Sequence, residues 1–214
     1  MKLTAENICK TIKDRQILSH INLTLESSTI YGFTGKNGSG KTMLFRALSG
    51  LMNIDSGTIS WNNQILHKDI SILPKLGLTL ENAGLYPEYT GFQNLKMLAQ
   101  IKKTATDRDI KSAIQRVGLD PDDKRTYQKY SLGMKQRIII AQAIMEKPDI
   151  IMLDEPGNGL DESGIELIRQ LILEEQKRGA LILLASHNKD DIQLLSNHTF
   201  FMDQGSLIKG AIQP

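Results

Sequence analysis

Four short segments of this chain carry side chains whose types and spacing could do chemistry. The first is Gly35-Lys36-Asn37-Gly38-Ser39-Gly40-Lys41-Thr42, a full match to G-x-x-x-x-G-K-[ST]. It follows an expected strand and opens an expected helix, the context that motif requires. Glycines at 35, 38 and 40 let the backbone curl with its N–H groups turned inward, where they cradle phosphate. The helix N-terminus adds positive potential. Lys41 sets a point charge against the outer phosphates, and Thr42 offers a hydroxyl to Mg²⁺.

The second segment is Asp154-Glu155-Pro156, at the end of the apolar run 149–153. Unpaired buried charge is costly, so two acids ending such a strand need a use. Asp154 is expected to hold Mg²⁺ through water, and Glu155 to activate the attacking water as general base. Alone, the pair reads equally as a solvated strand end before an acidic helix start. The phosphate loop favours the chemical reading, because ligands of α/β sheets gather at strand C-terminal ends. The third candidate, His187, follows the next expected strand on the same edge; its expected role is to contact the γ-phosphate and orient the water. The fourth segment is Tyr130-Ser131-Leu132-Gly133-Met134-Lys135-Gln136-Arg137. By residue type alone it is a capped core helix, with Ser131 as N-cap and Met134, Ile138, Ala141 and Met145 on one face.

These groups must be held by an α/β framework. Alternation over residues 2–8 and 21–26 marks two half-buried strands. Residues 29–33 form a strand running into the phosphate loop, and a helix is expected over 41–51, with Leu44, Ala47 and Leu48 on one face. Further strands are expected over 57–61, closed by Asn62-Asn63, and over 76–80. Helical patterns dominate from about 82 to 146, over 91–101, 107–117 and 131–145. The apolar runs 149–153 and 181–185 have the look of buried parallel strands, with a helix over 162–178 between them. A closing hairpin is expected around Gln204-Gly205, from 199–203 and 206–209.

Composition narrows the classes. The chain has 214 residues, enough for one domain or one domain with a sub-lobe. Its 26 Lys+Arg against 24 Asp+Glu give +2, without the excess of a nucleic-acid binder working by bulk charge. One cysteine, Cys9, excludes an intramolecular disulfide and any Cys-cluster zinc site; it is expected to be a small buried residue. No apolar stretch approaches the roughly 20 residues of a spanning helix, and the N-terminus has no apolar core of a signal peptide. Trp61 is expected in hairpin packing, and residues 138–140 in the core.

In their order along the chain, the phosphate loop, the serine-glycine segment, Asp154-Glu155, Leu160-Asp161 and His187 resemble the ATP-binding cassette (ABC) ATPases over nearly its whole length. The resemblance implies a P-loop NTPase (RecA-like) α/β core with an N-terminal antiparallel β subdomain and an inserted helical subdomain. Core and β subdomain then take residues 1–81 and 147–214, and the helical lobe 82–146. In that family the serine-glycine segment is the signature motif, facing the γ-phosphate bound to a second cassette. Ser131 and Gly133 match it; Leu132 and Met134 depart from the commonest Gly and Gln. Residues 157–161 resemble the D-loop, with Asp161 at the dimer seam.

Two departures qualify the likeness. Glu81 stands where the family usually has a glutamine that senses Mg²⁺ and the membrane partner; an ionised carboxylate cannot donate a hydrogen bond. Glu81 could bind Mg²⁺ more directly or stay away until the site closes. Together with Ser131–Arg137 it is similar to the bacitracin-resistance and lantibiotic-immunity branch. Ile12 stands where the family often stacks adenine on an aromatic side chain, so part of such a contact, on the order of 1 kcal/mol, is expected to be lost.

The implied protein is a cytoplasmic ATPase subunit on the inner face of the cell membrane. It would use ATP and Mg²⁺, pair with a second cassette and dock on a separate permease near residues 81–90. Export or expulsion of antimicrobial peptide is the implied work, and no nucleic-acid partner is expected. A permease-free ABC clamp is one alternative, although no long coiled-coil insert is visible. A GTPase is the other: Asn188-Lys189-Asp190-Asp191 fits the guanine-reading N-K-x-D, but a small GTPase has no room for a helical lobe between phosphate loop and Asp154.

Overall fold

In the computed structural model, which describes residues 1–80 and 84–208, the strands divide between two sheets. One is antiparallel: β1 (Lys2–Ile12), β2 (Arg15–Glu26), β4 (Ser56–Trp61) and the short β5 (Gln64–Ile65), in the order β2-β1-β4-β5. The other has the order β10-β9-β3-β8-β7-β6. Its strands are β3 (Ile30–Thr34), β6 (Leu76–Thr79), β7 (Ile150–Asp154), β8 (Leu181–Ala185), β9 (His198–Asp203) and β10 (Ser206–Ile208). All its neighbours run parallel except β9 and β10.

The first hairpin is longer than the alternation predicts. Pairing between β1 and β2 shifts register at Ala5/Ile8, Ile8/Lys10 and Lys10/Thr11. Each irregularity breaks the period of two on which a pattern reading depends. Its turn is Lys13-Asp14, both left-handed at φ 47° and 61°, with no glycine to advertise it. Asn62-Asn63, at φ 47° and 68°, do turn the chain as expected, into β5, which the pattern did not give. Trp61 is buried as expected. Cys9 is only half-buried; its Sγ accepts a hydrogen bond from the His20 N–H at 3.3 Å.

Both faces of the parallel sheet are covered, which is why β7 and β8 read as unbroken apolar runs. Alternate residues enter different cores. Ile150, Met152, Leu181 and Leu183 meet Leu44, Phe45 and Leu48 of α1 (Lys41–Ser49) and the inner face of the antiparallel sheet. Ile151, Leu153, Ile182 and Leu184 meet the second core. That core is built from α2 (Gly91–Lys102), α3 (Asp107–Arg116), α4 (Leu132–Ile144), α5 (Glu162–Lys177) and α6 (Lys189–Leu195). In α4, Ile138 and Ile140 are fully buried.

Helix ends follow side-chain chemistry. Thr90 and Thr106 close capping boxes on α2 and α3, Ser131 caps α4 and Asp161 caps α5. Helix α6 escaped the pattern reading, though its signals are present. Asn188 caps it by accepting from the Asp190 N–H, Asp190 and Asp191 fill its first turn, and Ile192 and Leu195 are buried three apart.

A buried carboxylate ties α3 to α5. Arg116 Nη1 donates to Glu175 Oε1 at 2.6 Å, and Arg178 Nε donates to Glu175 Oε2 at 2.7 Å. The Glu175 side chain is 3% exposed, a burial that an unpaired carboxylate would make costly.

Candidate active site

Strand order brings three of the four candidate segments to one edge. β8 lies between β3 and β7, with Phe33 opposite Ala185 and Asp154 also opposite Ala185. The phosphate loop leaving β3, the acids ending β7 and the histidine following β8 therefore emerge side by side.

The loop from Gly35 to Thr42 is an open nest. Gly40 precedes α1 at φ 109° and offers no side-chain cap, so the first N–H groups of the helix keep their donors for a ligand. Gly35 is at φ 149°, and a Cβ there would lie 2.2 Å from the Met202 carbonyl oxygen. No larger residue fits without moving β9. Lys41 is 7% exposed and folds back on its own loop: Nζ donates to the Gly35 carbonyl at 2.8 Å and the Lys36 carbonyl at 3.4 Å. These carbonyls keep a buried ammonium satisfied, and phosphate oxygens can replace them. Ser39 Oγ is buried without a hydrogen-bond partner, an orphan that an incoming phosphate oxygen would satisfy.

Thr42 Oγ1 donates to Asp154 Oδ2 at 2.5 Å, across 112 residues of sequence. The Asp154 N–H in turn donates to Oγ1 of buried Thr79 at 3.1 Å. A hydroxyl and a carboxylate are hard oxygen donors, the set that suits Mg²⁺ shared with phosphate and water. Among the described residues no cluster of three His, Cys, Asp or Glu side chains could hold a metal alone. The hydroxyl and carboxylate present fit an ion whose remaining donors are phosphate and water.

Glu155 follows at φ 49°, left-handed backbone that its neighbours impose. Its Oε2 lies 2.7 Å from His187 Nδ1 and accepts the His187 backbone N–H at 3.2 Å. The carboxylate is mostly shielded and the imidazole largely open, at 19% and 65% side-chain exposure. A carboxylate and an imidazole so placed can take and hold a proton beside a bound phosphate.

The serine-glycine segment bonds to the loop after Glu155. Ser131 Oγ accepts from the Met134 N–H at 3.2 Å, leaving the N-terminus of α4 at the surface, and Leu132 is 71% exposed beside it. The Leu132 Cγ occupies the space a Cβ on Gly159 would need, and Gly133 approaches the Gly159 carbonyl. Arg137 donates to Asp161 Oδ1 at 3.2 Å. The Asp161 carboxyl is held below its ordinary range, first by the Ser163 hydroxyl and then by the Gly164 N–H. No sequence pattern assigns Gln136 a use, yet its amide donates to the Glu155 and Pro156 carbonyls. Thr79 likewise has no sequence signal, since one threonine in a short strand carries no distinguishing pattern.

Ile12 ends β1 at the hairpin tip and is 40% exposed. The opposite strand of that hairpin touches the phosphate loop, with the Ile17 carbonyl 3.0 Å from where a Cβ on Gly40 would lie. Glu81 lies outside the described residues. The guanine reading fails on geometry: Asp191 is buried and its carboxylate is taken by Arg169 Nε and Nη2 at 2.9 and 2.6 Å.

A phosphate loop, two strand-end acids and a strand-end histidine on one edge of a parallel sheet define a nucleoside-triphosphatase of the P-loop class. The ABC transporter family model matches residues 18–158, and the chain belongs to the ATP-binding proteins of ABC transporters. It is an ATPase. It is 50% identical over 201 residues to an uncharacterized ABC transporter ATP-binding protein of Bacillus subtilis (strain 168), covering 94% of this chain and 92% of that one. It is 33% identical to a bacitracin transport ATP-binding protein of Enterococcus faecalis, over 97% of this chain and 68% of the relative. A lantibiotic transport ATP-binding protein of Streptococcus pyogenes is 31% identical, over 96% and 89%. The fold matches a solved dimeric bacterial ABC transporter cassette with TM-score 0.86 at 20% identity, over 96% of both chains. Among the described residues no helix is long and apolar enough to cross a membrane.

Proposed function

We propose that this ATPase works from the cytoplasmic face of a membrane, paired with a second cassette and a separate permease, to expel an antimicrobial peptide. Residues 82–146 form the helical lobe of that unit, inserted between 1–81 and 147–214. The observation that carries the catalytic half is the Thr42–Asp154 hydrogen bond beside Lys41. It puts a hydroxyl, a carboxylate and an ammonium at the mouth of one phosphate nest. The likeness to bacitracin and lantibiotic transport proteins supports the peptide half.

In this reading Gly35 to Thr42 wrap the phosphates of ATP, and Lys41 exchanges its loop carbonyls for phosphate oxygens. Thr42 and Asp154 would hold Mg²⁺, which would supply neutralisation of phosphate charge. Glu155 accepts the proton of the attacking water, and His187 holds the carboxylate and reaches the γ-phosphate. Ser131 to Met134 present the N-terminus of α4 to the phosphate bound by the second cassette. Ile12 offers an apolar contact to the base, and Asp161 sits at the seam between cassettes.

The test uses Glu155→Gln protein with ATP and Mg²⁺, recovered from native membranes. A multi-spanning protein retained only with ATP supports the transporter assembly. Deletion of the gene should then lower the lethal dose of bacitracin or a lantibiotic. A nucleotide-bound sample that brings no membrane protein refutes the assembly, and unchanged peptide sensitivity refutes the cargo.

A further inference from the structure

Glu155 holds a backbone conformation, φ 49°, that a side-chain-bearing residue keeps only where its surroundings impose it. Two backbone bonds pin this turn: the Glu155 N–H donates to the Ala185 carbonyl at 2.8 Å, and the Asn158 N–H to the Glu155 carbonyl at 3.2 Å. A side chain supplies the rest. Gln136 Nε2 donates to the carbonyls of both Glu155 and Pro156, each at 3.2 Å. A primary amide has two hydrogens, and each carbonyl takes one.

Gln136 lies on α4, whose N-cap is Ser131, and its neighbour Arg137 grips Asp161 at 3.2 Å. One helix therefore holds the segment from Glu155 to Asp161 near both ends. The Glu155 side chain leaves the turn toward His187, so rotation of the 155–156 peptide would swing the carboxylate out of its seat against the imidazole. A misplacement of about 1 Å is enough to cost on the order of 100-fold in rate.

We propose that Gln136 is a positioning residue for Glu155. Its two-pronged amide aims the carboxylate and makes that aim depend on the seat of the helix carrying Ser131. The inference rests on Glu155 being the base.

The experiment compares Gln136→Leu, of similar length but without donors, with Gln136→Asn, which keeps the amide one methylene short. ATP affinity, KM, kcat and thermal midpoint are measured on the full chain with Mg²⁺. In both variants kcat should fall about 10- to 100-fold, while KM and ATP affinity stay within about threefold and the midpoint barely moves. That split separates aim from general damage. A folded variant with wild-type kcat overturns the proposal, and so does a parallel loss of kcat, affinity and midpoint. If Gln136→Leu does not fold, Gln136→Asn decides by the same criteria. Glu155→Gln is run beside them. Full turnover in that protein refutes the base assignment and the proposal with it; a dead Glu155→Gln beside a fully active Gln136→Leu refutes the proposal alone.

Discussion

Glu155→Gln removes basicity from the proposed active site while keeping its shape. The amide oxygen can still accept the two His187 contacts, at 2.7 and 3.2 Å, so the turn and the imidazole should stay in place. The phosphate nest, Lys41 and the Thr42–Asp154 pair are untouched, so ATP should bind as before. What goes is the proposed acceptor of the proton of water. A positioned general base contributes about 10²- to 10⁴-fold, which at ~1.4 kcal/mol per factor of ten is about 3–5 kcal/mol of barrier. The assay is phosphate release at saturating ATP and Mg²⁺, beside equilibrium nucleotide binding on the same sample. kcat should fall by at least about 100-fold with affinity within about threefold, and ATP should accumulate on a dimer visible by size-exclusion chromatography. Turnover within about tenfold of wild type, on protein that binds ATP normally, would refute the assignment, because the site would then supply the proton acceptor elsewhere.

Three further outcomes follow from the geometry. Lys41→Met removes the ammonium that the Gly35 carbonyl holds at 2.8 Å; loss of one charged hydrogen bond, about 1.5–3 kcal/mol, should weaken ATP binding roughly 10- to 100-fold, and unchanged affinity in a titration would contradict the phosphate role. Arg116→Leu leaves one oxygen of the 3%-exposed Glu175 side chain without its donor while Arg178 keeps the other; the cost is about 2 kcal/mol, or a thermal midpoint roughly 4–8 °C lower, and an unmoved midpoint would show the clasp to be idle. The Asp109 carboxyl is held well below its ordinary 3.8, chiefly by the Thr106 hydroxyl and then by Lys147. Its stabilisation is therefore full above that value and is lost as pH falls toward the folded group's lower pKa. Asp109→Asn should flatten the fall in urea midpoint below about pH 4, and an equally steep fall would contradict this linkage.

The sequence by itself determined whatever depends on near neighbours. The phosphate loop is legible because its glycines, Lys41 and Thr42 act through one continuous stretch of backbone. The run 181–185 is legible because a strand buried on both faces must be apolar throughout, and it became β8 without change of bounds. Ser131 is legible as a cap because a cap bonds three residues ahead. The first hairpin was only half legible, since its bulges interrupt the alternation that announces a strand.

Tertiary structure alone decided which of these pieces meet. The sequence separations of 112 for Thr42 and Asp154, and of 32 for Glu155 and His187, are closed by strand order, which no local pattern records. Whether Asp191 reads a base or neutralises an arginine depends on where α5 lays Arg169. Gln136 looks like one more polar residue on a helix until the turn at Glu155 is folded against it. The physical reason is the same in each case. Side-chain type sets what a group can bond, but in a chain this size the partner comes from packing two cores on one sheet.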